Sequence, residues 1–95
     1  MQTIQIEVPS VLAATLGGNR RLEAHMPAGS SIGNLLDELG EAYPLFARRV
    51  RDERGQVRRF VNIFIGPDNI RALRGLDSEL PAGSTVMIMQ SVAGG

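Results

Sequence analysis

Ser31-Ile32-Gly33-Asn34-Leu35-Leu36-Asp37-Glu38-Leu39-Gly40-Glu41-Ala42-Tyr43 carries a clear helical period. Ile32, Leu35, Leu36 and Leu39 recur at the i, i+3, i+4, i+7 spacing of one helical face, while Asp37, Glu38 and Glu41 fall mainly on the other side. Pro27-Ala28-Gly29-Ser30-Ser31 is a turn that delivers the chain to this helix. Ser31 is placed to cap it, its hydroxyl accepting from the amide near Asn34. Gly40 weakens the helix by about 1 kcal/mol relative to alanine, and Pro44 stops it after Tyr43. This is the domain's main helix, and what flanks it on both sides reads as strand.

Upstream, Thr3 to Val8 alternates, with Ile4, Ile6 and Val8 directed to a core. Pro9 ends that ladder. A short apolar excursion, Ser10 to Leu16, leads to Gly17-Gly18-Asn19, whose glycines supply the positive φ that turns the chain back. Arg20 to Met26 alternates again, with Leu22, Ala24 and Met26 inward and Arg21, Glu23 and His25 outward, which completes a hairpin with a broad loop. Downstream, Leu45 to Val50 reads as a short helical turn and Arg51 to Gln56 as a solvated loop. Phe60-Val61-Asn62-Ile63-Phe64-Ile65 is the most β-prone stretch. Gly66 to Asn69 turns it, Ile70-Arg71 reads as a short edge strand, and Thr85 to Gln90 is the last strand, with Val86 and Ile88 inward. The order predicts an α+β domain: a mixed sheet of four to five strands wrapped around one helix over residues 1–91, followed by a flexible tail at 92–95.

Composition bounds the function. The 95 residues, 43% apolar and 21% charged, fit one small globular domain. There is no basic-then-apolar N-terminal segment and no run of about eighteen apolar residues, so neither a secretory signal nor a membrane span is expected; both point to the cytoplasm. A net charge of zero gives no global attraction to nucleic acid or anionic lipid. All ten basic residues are arginine, so no side-chain amine is present for Schiff-base chemistry or isopeptide attachment. With no cysteine and a single histidine, His25, a disulfide framework, a thiolate zinc site, a cysteine nucleophile and any other metal site or triad are all discounted. The carboxylates Asp37, Glu38 and Glu41 are explained by a polar helix face. No acid, base and nucleophile set can be assembled, so the chain is read as non-catalytic.

The sequence closes on Val92-Ala93-Gly94-Gly95. A Gly-Gly end is thin and conformationally free. It can thread a narrow channel on a partner and present an α-carboxylate that is ionised at neutral pH, its ordinary pKa being roughly 3.3–3.7. Such a carboxylate can attack the α-phosphate of ATP, giving an acyl-adenylate that a sulfur or nitrogen nucleophile displaces. The competing reading is an inert, frayed terminus. The strand immediately before it would hold the tail at a fixed place on a rigid body.

The helix Ser31 to Tyr43, the strand Phe60 to Ile65, the block Arg74-Gly75-Leu76-Asp77…Leu80…Gly83…Val86…Ile88 and the Val92-Ala93-Gly94-Gly95 ending together resemble the ubiquitin-like β-grasp sulfur carriers of the ThiS/MoaD family. Val8-Pro9-Ser10-Val11-Leu12…Gly17-Gly18 and Arg59-Phe60-Val61-Asn62-Ile63 are most similar to the CysO type. Gln90-Ser91 departs from molybdopterin-type members, which often carry proline there. The resemblance spans essentially the whole chain. It implies that an adenylating enzyme of the ubiquitin-activating type uses Mg and ATP to activate Gly95, with no cofactor held by the carrier itself. A sulfur donor protein then converts the carboxylate to a thiocarboxylate, and a sulfur-acceptor synthase consumes it. Cysteine formation is the favoured destination, with molybdopterin, thiamine thiazole or a specialised metabolite as other possibilities. Val92, Ala93, Gly94 and Gly95 would be the residues read by the activating enzyme. The absence of any thiol agrees: the terminal carboxyl is the one plausible place to load sulfur.

Alternation also turns Phe60, Phe64, Met87 and Met89 outward, on strands that are neighbours in a β-grasp sheet. They would form one exposed apolar patch beside the tail, of the kind that marks a partner site. Arg48, Arg49, Arg51, Arg54, Arg58 and Arg59 concentrate in one segment. The plain reading is a solvated face; docking of Arg48, Arg49, Arg58 and Arg59 onto an acidic partner is the functional one. Nucleic acid is disfavoured because no stacking aromatic is interleaved inside the loop. A second class of function, a ubiquitin-like binding module that acts through the patch and has an inert tail, stands beside the carrier.

Overall fold

The structure is a computed structural model that describes residues 1–91. The chain runs β1 (Gln2–Glu7), α1 (Ser10–Ala13), β2 (Arg21–Met26), α2 (Ile32–Ala42), α3 (Pro44–Val50), β3 (Val61–Ile65), β4 (Asp68–Asn69) and β5 (Thr85–Gln90). Short 3-10 turns occupy Ala14–Leu16, Ile70–Ala72 and Gly75–Asp77. The five strands form one sheet in the order β2-β1-β5-β3-β4. β1 and β5, drawn from opposite ends of the chain, lie side by side and parallel, in the register Gln5 to Thr85, Ile6 to Val86 and Glu7 to Met87. All other pairings are antiparallel. This is the mixed sheet on one main helix expected from the sequence.

Period two sorts each strand. Ile4, Ile6, Val61, Ile63, Ile65, Val86 and Ile88 are buried on one face of the sheet, where they share a single core with Ile32, Leu35, Leu36 and Leu39 of α2. Leu22 is only half-buried at the start of the edge strand β2, while Ala24 and Met26 are buried. The cap of α2 is reciprocal: the Asn34 amide donates to Ser31 Oγ at 3.1 Å, and the Ser31 amide donates to Asn34 Oδ1 at 2.9 Å. A capping box with asparagine at its third position thus satisfies two amides that the first helical turn leaves without partners.

Three local readings change. Ser10 to Leu16 is helical, α1 followed by a 3-10 turn, because Leu12, Ala13 and Leu16 all reach the core from one side. Residues 44–50 form a two-turn helix rather than a single turn. Tyr43 ends α2 in a non-helical conformation, and Pro44 takes the first position of α3, where its missing N–H costs nothing. Finally, the edge strand lies one step earlier than expected. Gly66-Pro67 alone makes the turn, with Gly66 at φ 57°. Asp68-Asn69 pair with Ile65-Phe64, and Ile70-Arg71 belong to the 3-10 turn that follows. Burial of Ile70 beneath that turn outweighs its β propensity.

Gly40 has a role that helix propensity does not reveal. A Cβ built there would lie 3.2 Å from the Ala47 Cβ, so glycine and alanine let α2 and α3 approach closely. On the same side of the molecule Arg51 pairs with Asp37 at 2.6 Å and donates Nε–H to the Gly55 carbonyl at 2.7 Å. The loop at 51–56 is therefore a hydrogen-bonded turn tied back to α2, rather than a freely solvated segment.

Candidate functional site

The face of the sheet turned away from α2 brings together Phe60, Phe64, Met87 and Met89. β3 and β5 pair antiparallel, placing Phe64 opposite Met87 and Asn62 opposite Met89. Phe60 precedes β3, and its carbonyl accepts from the Ser91 amide at 2.8 Å, so the ladder continues to the last described residue. Phe60, Met87 and Met89 are 41%, 39% and 38% exposed. Phe64 is half-buried, closed in by Met87 across the ladder and Asn69 of β4 on its other side. The four side chains thus share one surface beside Ser91, as alternation requires. Val92, Ala93, Gly94 and Gly95, including the expected sulfur-loading position, lie outside the described residues.

The patch is bordered by polar groups. Across the row, Met87 of β5 neighbours Glu7 of β1, which in turn faces Arg21 of β2. Further along, Gln5 donates to Glu23 at 3.1 Å, and Thr3 Oγ1 lies 3.3 Å from His25 Nδ1. His25 is therefore an exposed strand residue whose contact is a hydroxyl.

Arg48, Arg49, Arg58 and Arg59 are exposed. Arg48 and Arg49 form the last turn of α3, where cations complement the helix dipole. Arg58 donates Nε–H to the Arg48 carbonyl at 2.7 Å, which ties the approach to β3 onto α3. Arg59 lies over the Phe60 ring, its Cζ 5.3 Å from the centroid. The basic segment thus meets the apolar patch at Phe60, through Arg59. Among the described residues Arg51 with Asp37 is the only ion pair, so these four guanidinium groups face solvent without a carboxylate partner there.

Sequence reading missed a polar cluster inside the patch. Asn62 Oδ1 accepts from Arg71 Nη1 at 2.6 Å and from Asn69 Nδ2 at 3.3 Å. Arg71 Nη2 also donates to the Arg58 carbonyl at 3.3 Å, and Asn69 Oδ1 accepts from the Arg71 amide at 2.9 Å. The available signal was Asn62 itself, a polar residue at an outward position flanked by two phenylalanines.

A mixed five-stranded sheet in the order β2-β1-β5-β3-β4, packed on one main helix and open on its other face, is the architecture of a ubiquitin-like β-grasp protein. The chain belongs to the ThiS family, whose model it matches over residues 6–95. It is 29% identical to the sulfur carrier protein CysO of Mycobacterium bovis over 94 residues, covering 97% of this chain and 98% of that protein. It is 36% identical over 75 residues to the molybdopterin synthase sulfur carrier subunit of Mycobacterium tuberculosis, covering 79% of this chain and 76% of that one. Its fold superposes on a chain of the Amycolatopsis orientalis BexX/CysO complex with a TM-score of 0.80 at 28% identity, over 97% of this chain and 99% of that chain. No helix among the described residues is long and apolar enough to cross a membrane.

Proposed function

We propose that this protein is a sulfur carrier, a cosubstrate rather than a catalyst, loaded at Gly95. The observation that carries the reading is the match to the ThiS family through residue 95, on a chain with no cysteine of its own. An adenylating enzyme of the ubiquitin-activating type binds the carrier and Mg-ATP. One oxygen of the Gly95 carboxylate attacks the α-phosphate, pyrophosphate leaves, and an acyl-adenylate forms. A sulfur donor protein supplies sulfide equivalents that attack the acyl carbon; AMP leaves with the carboxylate oxygen, and a thiocarboxylate remains. A sulfur-acceptor synthase then takes the sulfur. The cysteine-forming branch is favoured, since the CysO relative matches 97% of the chain and the molybdopterin subunit 79%.

Docking is assigned to Phe60, Phe64, Met87 and Met89. Arg48, Arg49, Arg58 and Arg59 provide attraction to an acidic partner surface, and Val92 to Gly95 is the segment the enzyme reads. The test is an intact-mass measurement after incubation with a candidate activating enzyme, Mg-ATP and either sulfide or a persulfide donor with a thiol reductant that cleaves the acyl disulfide it forms. The carrier reading requires a gain equal to exchanging one oxygen for sulfur, located on Gly95 by fragmentation. Protein that stays unmodified with every enzyme of this class would favour a ubiquitin-like binding module acting through the same patch.

A further inference from the structure

Arg71 sets a positive charge against the outer flank of the apolar docking face. Asn62 lies between Phe60 and Phe64 along β3 and opposite Met89 on β5, and the Arg71 guanidinium is bonded to its side-chain oxygen at 2.6 Å. The group therefore flanks the row Phe60, Asn62 and Phe64 on the outer side of β3, immediately beside the residues a partner covers. Two bonds hold the guanidinium, and a third holds the backbone that carries it. Nη1 is fixed by Asn62, Nη2 by the Arg58 carbonyl at 3.3 Å, and the Arg71 amide by Asn69 Oδ1 at 2.9 Å. Asn62 Oδ1 already accepts two donors, which fills both of its lone pairs.

A guanidinium has five N–H donors, of which two are used here, so three remain. The oxygens it meets are neutral, and among the described residues no carboxylate lies within ion-pair distance of it. Covering this face would strip water from that charge, and burying a charge is costly unless it gains an opposite one. A preorganised fork of this kind suits a carboxylate bidentately.

Resting on the docking reading above, we infer that Arg71 is the specificity anchor of the face: it receives an aspartate or glutamate carboxylate that the adenylating enzyme's docking surface carries beside its apolar contact with Phe60 and Phe64. Phe60, Met87 and Met89 exclude water around that pair. A partner without a carboxylate at that place is disfavoured, because it covers the guanidinium and leaves it unmatched.

The test follows ATP–pyrophosphate exchange by an adenylating enzyme of this class at saturating Mg-ATP, with the full carrier as varied substrate. Arg71→Gln should raise the KM for carrier at least ten-fold with kcat unchanged, and should flatten the rise of log KM with ionic strength. Arg71→Lys keeps the charge but not the fork, so it should retain the salt slope and fall between the two in KM. Met87→Asp is run beside them. If Met87→Asp raises KM and Arg71→Gln does not, the anchor is wrong and the docking face stands. A raised KM with an unchanged salt slope would mean Arg71 acts only by bracing Asn62 and Arg58, which also overturns it. If neither variant matters, or the wild-type carrier supports no exchange, the docking reading fails and the anchor with it.

Discussion

At the scale of single residues, burial separates side chains that hold the fold from those that face outward. Ile63 is 1% exposed and Leu35 fully buried, both within the shared core. Replacing either with alanine should cost about 2–5 kcal/mol in denaturant melts. Ser31→Ala removes one arm of the capping box and should cost about 0.5–2 kcal/mol, read the same way. Phe64 is less simple than alternation implies. It sits on the outer face, yet Met87 and Asn69 flank it, so Phe64→Asp should lower stability as well as docking. Met87→Asp separates the two effects: it should leave the melting temperature within a few degrees of wild type and weaken binding to an activating enzyme. A large loss of stability on Met87→Asp would mean that the outer face is packed rather than open.

At the scale of elements, what the sequence revealed follows how local each cause is. Hydrophobic periods and turn residues identify β1, β2, α2, β3 and β5, since each pattern is complete within its own segment. The alternation in β3 and β5 likewise placed Phe60, Phe64, Met87 and Met89 on one face. What stayed hidden depends on a neighbour distant in sequence. Ile70 takes a 3-10 turn because the core beneath it is open to an isoleucine, and Arg71 matters because Asn62 and Arg58 lie under it. Gly40 is the clearest instance, a weak helix residue by propensity whose value is the close approach of α3. Gly40→Val should therefore cost about 1–3 kcal/mol through overpacking. Adding Ala47→Gly should recover part of that loss in a double-mutant cycle, whereas strictly additive costs would place the strain elsewhere.

At the scale of the molecule, the proposed chemistry belongs to the end of the chain and the folded body carries it. Appending residues after Gly95, or substituting Gly94→Val, should abolish or slow sulfur loading in the intact-mass assay while melting curves overlay those of wild type. A shifted melt would show that the ending contributes to packing. The position of β5 carries a mechanical consequence. The strand leading to the ending is not at an edge; it lies between β1 and β3, hydrogen-bonded on both sides, and runs parallel to the strand that begins the chain. Tension applied between Met1 and Gly95 would therefore load the β1–β5 ladder in shear, with its hydrogen bonds sharing the force rather than opening one after another. In a force spectrometer the domain should yield at a markedly higher load when held by its two ends than when held by Met1 and Met26. Those residues terminate an antiparallel hairpin with Gln2 opposite Met26, so that pull unzips the pairs in sequence. A carrier of the proposed kind would thus withstand being gripped by its end, drawn into one enzyme and released to the next.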